Sequence, residues 1–148
     1  MRVHATLLLA AALLALSIGT PALAYDAELA QKLGADEHGM KMYALILLKP
    51  GPRQDLAKED SDRAFAGHMA NIDRLSGSGD LVFAGPLERN DRYRGIFVFN
   101  VRTTAEADAL LATDPAVQAG ALSGDVYLLY GSAALQHVTG IHHSISKD

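Results

Sequence analysis

Two residues of this chain are candidates for chemistry, each on its own sequence context: His68 and Asp114. An imidazole titrates near neutral pH and acts as a general base or acid when a carboxylate orients it. His68 lies three residues after Phe65 and four before Ile72, within the apolar stripe of a predicted helix. We therefore expect a half-buried imidazole, for which a core histidine with a structural role is the competing interpretation.

Asp114 also has a purely structural interpretation. It stands directly before Pro115, and a residue in that position is excluded from the α region. Aspartate is a preferred N-cap, and proline is favoured at the first helical position. The pair therefore predicts a short helix that is capped by Asp114 and ended by Gly120. From the local sequence alone, no chemistry is required of Asp114.

A second group of candidates, which we expect to line a substrate pocket, lies where turns and close backbone approaches are expected. Gly85-Pro86 follows the second predicted strand, and Gly95 lies near the start of the third. Arg94 directly precedes that glycine, in a loop that holds further arginines. These arginines could meet an anionic substrate, although solvated loop charges are the commoner case. The histidines of the tail, at positions 137, 142 and 143, give only a weak metal-binding pattern, and we predict no metal site.

The first 24 residues have the pattern of a secretory signal peptide. A basic start precedes an apolar run from Leu7 to Leu16, and Ala22-Leu23-Ala24 forms a small-x-small cleavage site. The run is short for a membrane span, which needs about 20 residues, so an uncleaved anchor is the less favoured alternative. We expect cleavage after Ala24 and a periplasmic or secreted protein without stable membrane anchoring.

The composition limits what the remaining chain can do. Its length suits one domain, and the absence of cysteine excludes disulfides, thiol nucleophiles and thiolate-held metals. The formal net charge is −4 and the basic residues are dispersed, so we predict no nucleic-acid partner. Phosphate-binding loops, nucleophile elbows and zinc-protease motifs are also missing from the sequence.

Hydrophobic periodicity predicts four strands and two main helices. A linker at 25–40 precedes the domain at 41–131, and a loosely ordered tail follows at 132–148. The first helix is expected to begin near Asp60 to Asp62 and to end near Ser76, with Phe65, Met69, Ile72 and Leu75 on its core face. Thr103 and Glu106 fit a capping box before the second helix. The predicted strands are 41–49, 81–86, 94–101 and 125–131.

The order of these elements is β-α-β-β-α-β, which predicts an α+β, ferredoxin-like fold with an antiparallel sheet and both helices on one face. The strands are apolar on both alternating sets of positions, as Ala44 and Leu45 illustrate. Two helices cover one face only, so the other face needs a second cover. We expect a homodimer with the sheets face to face. The alternative is that the N-terminal segment or the tail folds across that face.

The stretch from Met42 to Gly131 resembles the YciI-like (YCII-related) domain of the dimeric α+β barrel superfamily. The resemblance rests on YALILLKPGP, GHMANIDRLSGSGDLVFAGPL, RGIFVFNV, TTAEADALLATDPAVQAG and DVYLLYG. It implies a dimeric ferredoxin-like fold and an active site that pairs the first-helix histidine with the aspartate of the Asp-Pro motif. On this sequence those residues are His68 and Asp114. Many members carry a serine after the glycine that opens the third strand, where this chain has Ile96.

The resemblance barely fixes a reaction, since superfamily members include lactone isomerases, a dehydrochlorinase and cofactor-free oxygenases. We favour a cofactor-independent enzyme that transfers a proton on a small cyclic or aromatic compound, with His68 as base or acid and Asp114 as its orienter. The alternative is a non-catalytic dimeric module that binds a small ligand in the same pocket. Haem binding through His68 is a distant third hypothesis. The two main hypotheses differ in whether His68 contacts Asp114 and opens onto a cavity.

Overall fold

The computed structural model describes residues 24–147, so the predicted signal peptide lies outside the described residues apart from Ala24. Five α-helices, four strands and one short 3-10 helix follow one another in this part of the chain. They are α1 (Ala27–Leu33), β1 (Met40–Pro50), α2 (Lys58–Ser78), β2 (Leu81–Pro86), β3 (Gly95–Phe99), α3 (Thr104–Leu111), α4 (Pro115–Gln118), β4 (Leu122–Ser132), the 3-10 helix (Ala133–His137) and α5 (Val138–Ile145).

The four strands form one antiparallel sheet in the order β2-β3-β1-β4. Together with α2 and α3 this is the βαββαβ arrangement of a ferredoxin-like fold, which confirms the predicted fold class. The prediction for β4 began too late, because the strand starts at Leu122 and not at Asp125. The added residues pair with the end of β1, where Leu48 lies opposite Gly124 and Pro50 opposite Leu122.

The main core lies between the sheet and the helices. Ile46 and Phe99 are fully buried on the sheet side, and Leu75 of α2 and Ala107 of α3 are fully buried against them. The capping box before α3 is present, since the Thr103 side chain accepts from the backbone of Glu106 and the Glu106 side chain accepts from the backbone of Thr103. These contacts fix α3 where the sequence predicts it.

The predicted start and core face of α2 are wrong in detail. The helix begins at Lys58 after Ala57, which makes no side-chain cap, while Glu59 and Asp60 lie inside the first turn. Acidic residues in a first turn are favoured by the helix dipole even when they cap nothing. The side chains that α2 buries are Ala64, His68, Asn71 and Leu75. Of the predicted core residues, Phe65 and Met69 are exposed instead.

The sheet face opposite α2 and α3, here called the outer face, is covered only in part. Tyr43, Val82 and Val98 are buried there, and Leu135 of the 3-10 helix packs against them. The tail therefore covers one region of this face. This is what we expected if the tail, and not a second copy of the protein, covered the face. Elsewhere on the face Phe83 is 39% exposed and Tyr127 is 51% exposed, so apolar surface remains open.

The two terminal segments are more regular than predicted. The expected linker contains α1, capped by Asp26 and ended by Gly34 at φ 64°. The tail, expected to be loosely ordered, contains the 3-10 helix and α5. Gln136 joins the two segments by donating to the carbonyl of Leu33 at 2.7 Å. Among residues 24–147, no helix is both long enough and apolar enough to cross a membrane.

Candidate active site

The centre of the candidate site is a hydrogen bond between His68 and Asp114. Nδ1 of His68 lies 2.6 Å from Oδ2 of Asp114, and the Asp114 residue is fully buried. A carboxylate can only accept a hydrogen bond, so Nδ1 is the donor. In the neutral imidazole Nε2 then carries a free lone pair, and it has no hydrogen-bond partner within residues 24–147. The structure thus brings together the two residues that the family resemblance paired.

Asp114 is held by the backbone of the helix that follows it. It has extended backbone angles, φ −78° and ψ 120°, and Pro115 opens α4 directly after it. Its Oδ1 accepts from the backbone N–H of Ala116 at 2.9 Å. One carboxylate oxygen therefore caps α4 while the other faces the imidazole. The predicted cap is confirmed, and capping and orientation of His68 are compatible.

His68 is held on its other sides by aromatic rings and by close helix packing. The ring of Phe97 stacks on the imidazole with 5.6 Å between centroids, and Phe65 approaches edge-on at 6.0 Å. Gly67 lets α2 approach α4, because a Cβ at this glycine would lie only 2.7 Å from Cβ of Pro115. The imidazole is thus fixed in position on the side that faces Asp114.

His68 lies on the wall of a pocket of about 540 Å³ between α2 and the sheet. The four residues that the sequence analysis predicted for this pocket, Gly85, Pro86, Arg94 and Gly95, all line it, whereas Asp114 lies behind His68 and does not. The remaining wall is largely apolar. It is formed by Leu48, Arg53, Gln54, Leu56, Ser61, Phe65, Met69, Ile72, Ala84, Phe97, Ala121 and Leu122.

Close backbone contacts shape two sides of the pocket. A Cβ at Gly95 would lie 2.8 Å from the carbonyl oxygen of Gly85, so the two strands can pair here only with glycine at this position. A Cβ at Gly51 would lie 2.2 Å from the carbonyl oxygen of Gly120. That oxygen accepts from the N–H of Arg53 at 2.8 Å, which holds the 51–53 segment against the end of α4.

A polar cluster beside the pair was not predicted. Oδ1 of Asn71 accepts from Arg74 at 2.7 Å and from the Thr113 hydroxyl at 3.2 Å, which ties α2 to the residue before Asp114. Nδ2 of Asn71 is buried and has no hydrogen-bond partner in the described part of the chain. The sequence did contain a signal, since Asn71 is a polar residue one turn after His68 on the same helix face.

Other candidates lie away from the pair. Ile96, at the position where family members often have serine, pairs with Leu47 on the outer face and does not line the pocket. His142 and His143 of α5 have ring centroids 6.1 Å apart. Within the described part of the chain, no three or more His, Cys, Asp or Glu side chains are grouped so that they could hold a metal ion.

The fold and the pocket together define a class: a ferredoxin-like α+β protein with a buried aspartate behind a pocket-lining histidine. The sequence matches the family model of the YCII-related domain over residues 42–126, which is more than half of the 148-residue chain. The chain therefore belongs to the YCII-related domain family. No curated protein matches the sequence.

Among solved structures, the chain is similar to 5-chloro-2-hydroxyhydroquinone dehydrochlorinase (TftG) from Burkholderia phenoliruptrix AC1100, determined in complex with 2,5-dihydroxybenzoquinone. The two sequences are 18% identical, and the TM-score is 0.41. The matched region covers 59% of this chain and 90% of the other.

Proposed function

We propose that this protein is a cofactor-independent enzyme that transfers a proton on a small cyclic or aromatic compound. The observation that carries the proposal is the 2.6 Å contact between Nδ1 of His68 and Oδ2 of Asp114, with His68 on the pocket wall and Asp114 buried behind it. Family membership is compatible with this assignment but does not identify the reaction.

The proposed chemistry uses Nε2 of His68 as the base. Asp114 keeps the proton of the imidazole on Nδ1, so the lone pair of Nε2 faces the ligand. Nε2 takes a proton from a carbon of the ligand, and the carboxylate stabilises the imidazolium that forms. In an isomerisation, the proton returns to a second carbon of the same molecule. In an elimination, the electron pair of the broken C–H bond forms a double bond as a leaving group departs with its own bonding pair.

The experiment is a screen of lactones and halogenated phenols in D₂O, followed by NMR for deuterium uptake, isomerisation or loss of halide. A positioned general base contributes about 10²- to 10⁴-fold to a rate. We therefore expect His68→Gln to lower the rate by that order and Asp114→Asn to lower it as well. His142→Gln is the matched control, because His142 is exposed on α5 and lies outside the pocket. Equal rates for His68→Gln and the unaltered protein would overturn the proposal.

The second candidate function is a non-catalytic module that holds a small ligand in the same pocket. It is favoured by the low exposure of the His68 side chain, which is 11%. In that case the screen yields ligands that shift pocket resonances, no compound is transformed, and His68→Gln changes affinity only.

We also propose that the protein forms a homodimer through the open part of the outer face. Phe83 and Tyr127 are exposed there beside the half-buried Leu45 and Leu47. A contiguous apolar surface of this kind is unfavourable in water, and a second copy of the same face would cover it.

Export is a further proposal, supported by the basic start, apolar run and Ala22-Leu23-Ala24 site of the first 24 residues. N-terminal sequencing of the protein from fractionated cells should give Tyr25 as the first residue. A cell-associated chain that still begins with Met1 would contradict it.

A further inference from the structure

The charged side chains that line the pocket are of one sign. Two arginines, Arg53 and Arg94, line it, and no aspartate or glutamate among residues 24–147 does. His68 is the remaining titratable side chain on the wall. Both arginines are exposed, but a cleft that carries charge of one sign still attracts the opposite sign, so this wall favours a ligand with a negative charge.

The two arginines differ in how far their charge is already paired. Nε of Arg53 donates to Oδ1 of Asp55 at 3.0 Å, and this bond is the main cause that holds the pKa of Asp55 below its ordinary value. Arg94 donates only to neutral backbone carbonyls, through Nη1 to Asn90 at 2.7 Å and to Tyr93 at 3.4 Å. Among residues 24–147 no carboxylate pairs with Arg94, and its Nε and Nη2 have no acceptor.

The position of Arg94 is fixed from both sides of its backbone. Its N–H donates to the carbonyl of Leu48 in β1 at 2.8 Å, and its own carbonyl accepts from the N–H of Leu87 at 2.9 Å. Its guanidinium is further tethered to the carbonyl of Asn90. Because the group is already oriented, little conformational freedom is lost when it binds an anion.

We propose that the pocket selects small ring compounds that carry a carboxylate, and that Arg94 receives this carboxylate. This inference rests on the proposed function and names the substrate class of the same site. The planar guanidinium fork matches the two oxygens of a carboxylate. The ring of the ligand lies against the apolar wall formed by Met69, Ile72 and Phe97, within reach of Nε2 of His68.

The experiment compares acids with their own amides by NMR titration of the protein. The probes are benzoate, phenylacetate and cyclohexanecarboxylate, each with the uncharged carboxamide of the same ring. A hydrogen bond to a charged group contributes about 1.5 to 3 kcal/mol, so we expect at least one acid to bind about tenfold or more tightly than its amide. The variant Arg94→Gln should abolish this preference, so that each acid binds with about the same affinity as its amide.

Arg89→Gln is the matched control, because it removes the same charge from the same loop at a residue that does not line the pocket. It should retain the preference for acids. If no acid binds more tightly than its amide, or if Arg94→Gln keeps the preference, the inference is overturned.

The outcomes separate this inference from the proposed function. If acids and amides bind alike while chemistry that depends on His68 persists, anion selection fails and proton transfer stands. If acids bind through Arg94 while no compound is transformed, the ligand class stands and the enzyme proposal fails.

Discussion

Gly67 in α2 packs against Pro115 in α4 with no space for a methyl group between them. A Cβ at Gly67 would lie 2.7 Å from Cβ of Pro115 and 2.8 Å from its Cγ, closer than such atoms approach in proteins. His68 and Asp114 are the immediate neighbours of these two residues in sequence. The contact between the helices therefore sets the distance between the imidazole and the carboxylate.

Gly67→Ala should push α2 away from α4 and lengthen the bond between His68 and Asp114. Overpacking costs about 1 to 3 kcal/mol, offset by about 0.5 to 1 kcal/mol from the better helix propensity of alanine. We expect a net loss of up to about 2.5 kcal/mol in the free energy of urea unfolding and a lower rate of proton transfer. Gly77→Ala is the control, since a Cβ there meets nothing within 4 Å. A Gly67→Ala protein as stable as Gly77→Ala would contradict this packing.

Asp114→Ala should destabilise the protein through two lost contacts. The backbone of Ala116 loses its cap, at about 0.5 to 2 kcal/mol, and the N–H of His68 is left without a buried acceptor, at about 1 to 3 kcal/mol. Asp114→Asn retains an oxygen acceptor and should lose less. Asp108→Ala, at an exposed position in α3, is the control. Equal free energies of unfolding for Asp114→Ala and Asp108→Ala would argue against the network.

Acid stability should depend on Asp36. Its carboxylate accepts from the hydroxyl of Tyr130 first and from the backbone of Met40 next, and these bonds lower the pKa of Asp36. Because the folded pKa lies below the unfolded value of about 3.9, the stabilisation is fully present above that value and is lost as the pH falls through the folded pKa. In the Asp36→Asn variant the thermal midpoint should therefore fall less steeply as the pH is lowered.

The control for this pH dependence is Asp73→Asn, which removes an exposed carboxylate of α2 that makes no hydrogen bond to any residue of the range 24–147. In this variant the thermal midpoint should fall with decreasing pH as steeply as it does in the unaltered protein. Identical slopes for Asp36→Asn and the unaltered protein would show that the bond to Tyr130 contributes nothing to folding.

The proposed dimer can be tested by placing a charged side chain on one face or on the other face of β4. Tyr127 of β4 lies on the outer face opposite Leu45, whereas Leu128 lies on the helix side opposite Ala44. The two are equally exposed, at 51% and 50%. Sedimentation velocity should show a dimer for the unaltered protein and for Leu128→Glu, and a monomer for Tyr127→Glu, because burying an unpaired carboxylate is costly. A dimer that persists in Tyr127→Glu would place the interface elsewhere.

Much of the fold was predictable because its signals are local. Apolar runs predicted the four strands. The capping box of Thr103 and Glu106 predicted α3, and Asp114 as an N-cap predicted α4. The beginning of β4 was missed because Ser123 and Gly124 pair through their backbone and carry no apolar signal. Helix α5 buries no side chain, so no periodic pattern of core residues predicted it.

The candidate site was predictable only in part. The resemblance paired His68 with Asp114, which no local pattern does. Periodicity could not separate a core from a pocket wall, so Phe65 and Met69 were predicted to be buried although they line the cavity. Gly67 and Thr113 act through contacts with residues far away in sequence, and single-residue propensity carries no information about such contacts.

In the proposed mechanism, His68 donates Nδ1–H to Asp114 and presents the lone pair of Nε2 to the pocket. Long-range ¹H–¹⁵N NMR of the histidine side chains, under alkaline conditions that leave imidazole neutral, reports the tautomer directly. We expect His68 to be almost entirely the Nδ1–H tautomer. A proton on Nε2 would contradict it, because Asp114 could then not accept from Nδ1 and the pocket would face no base.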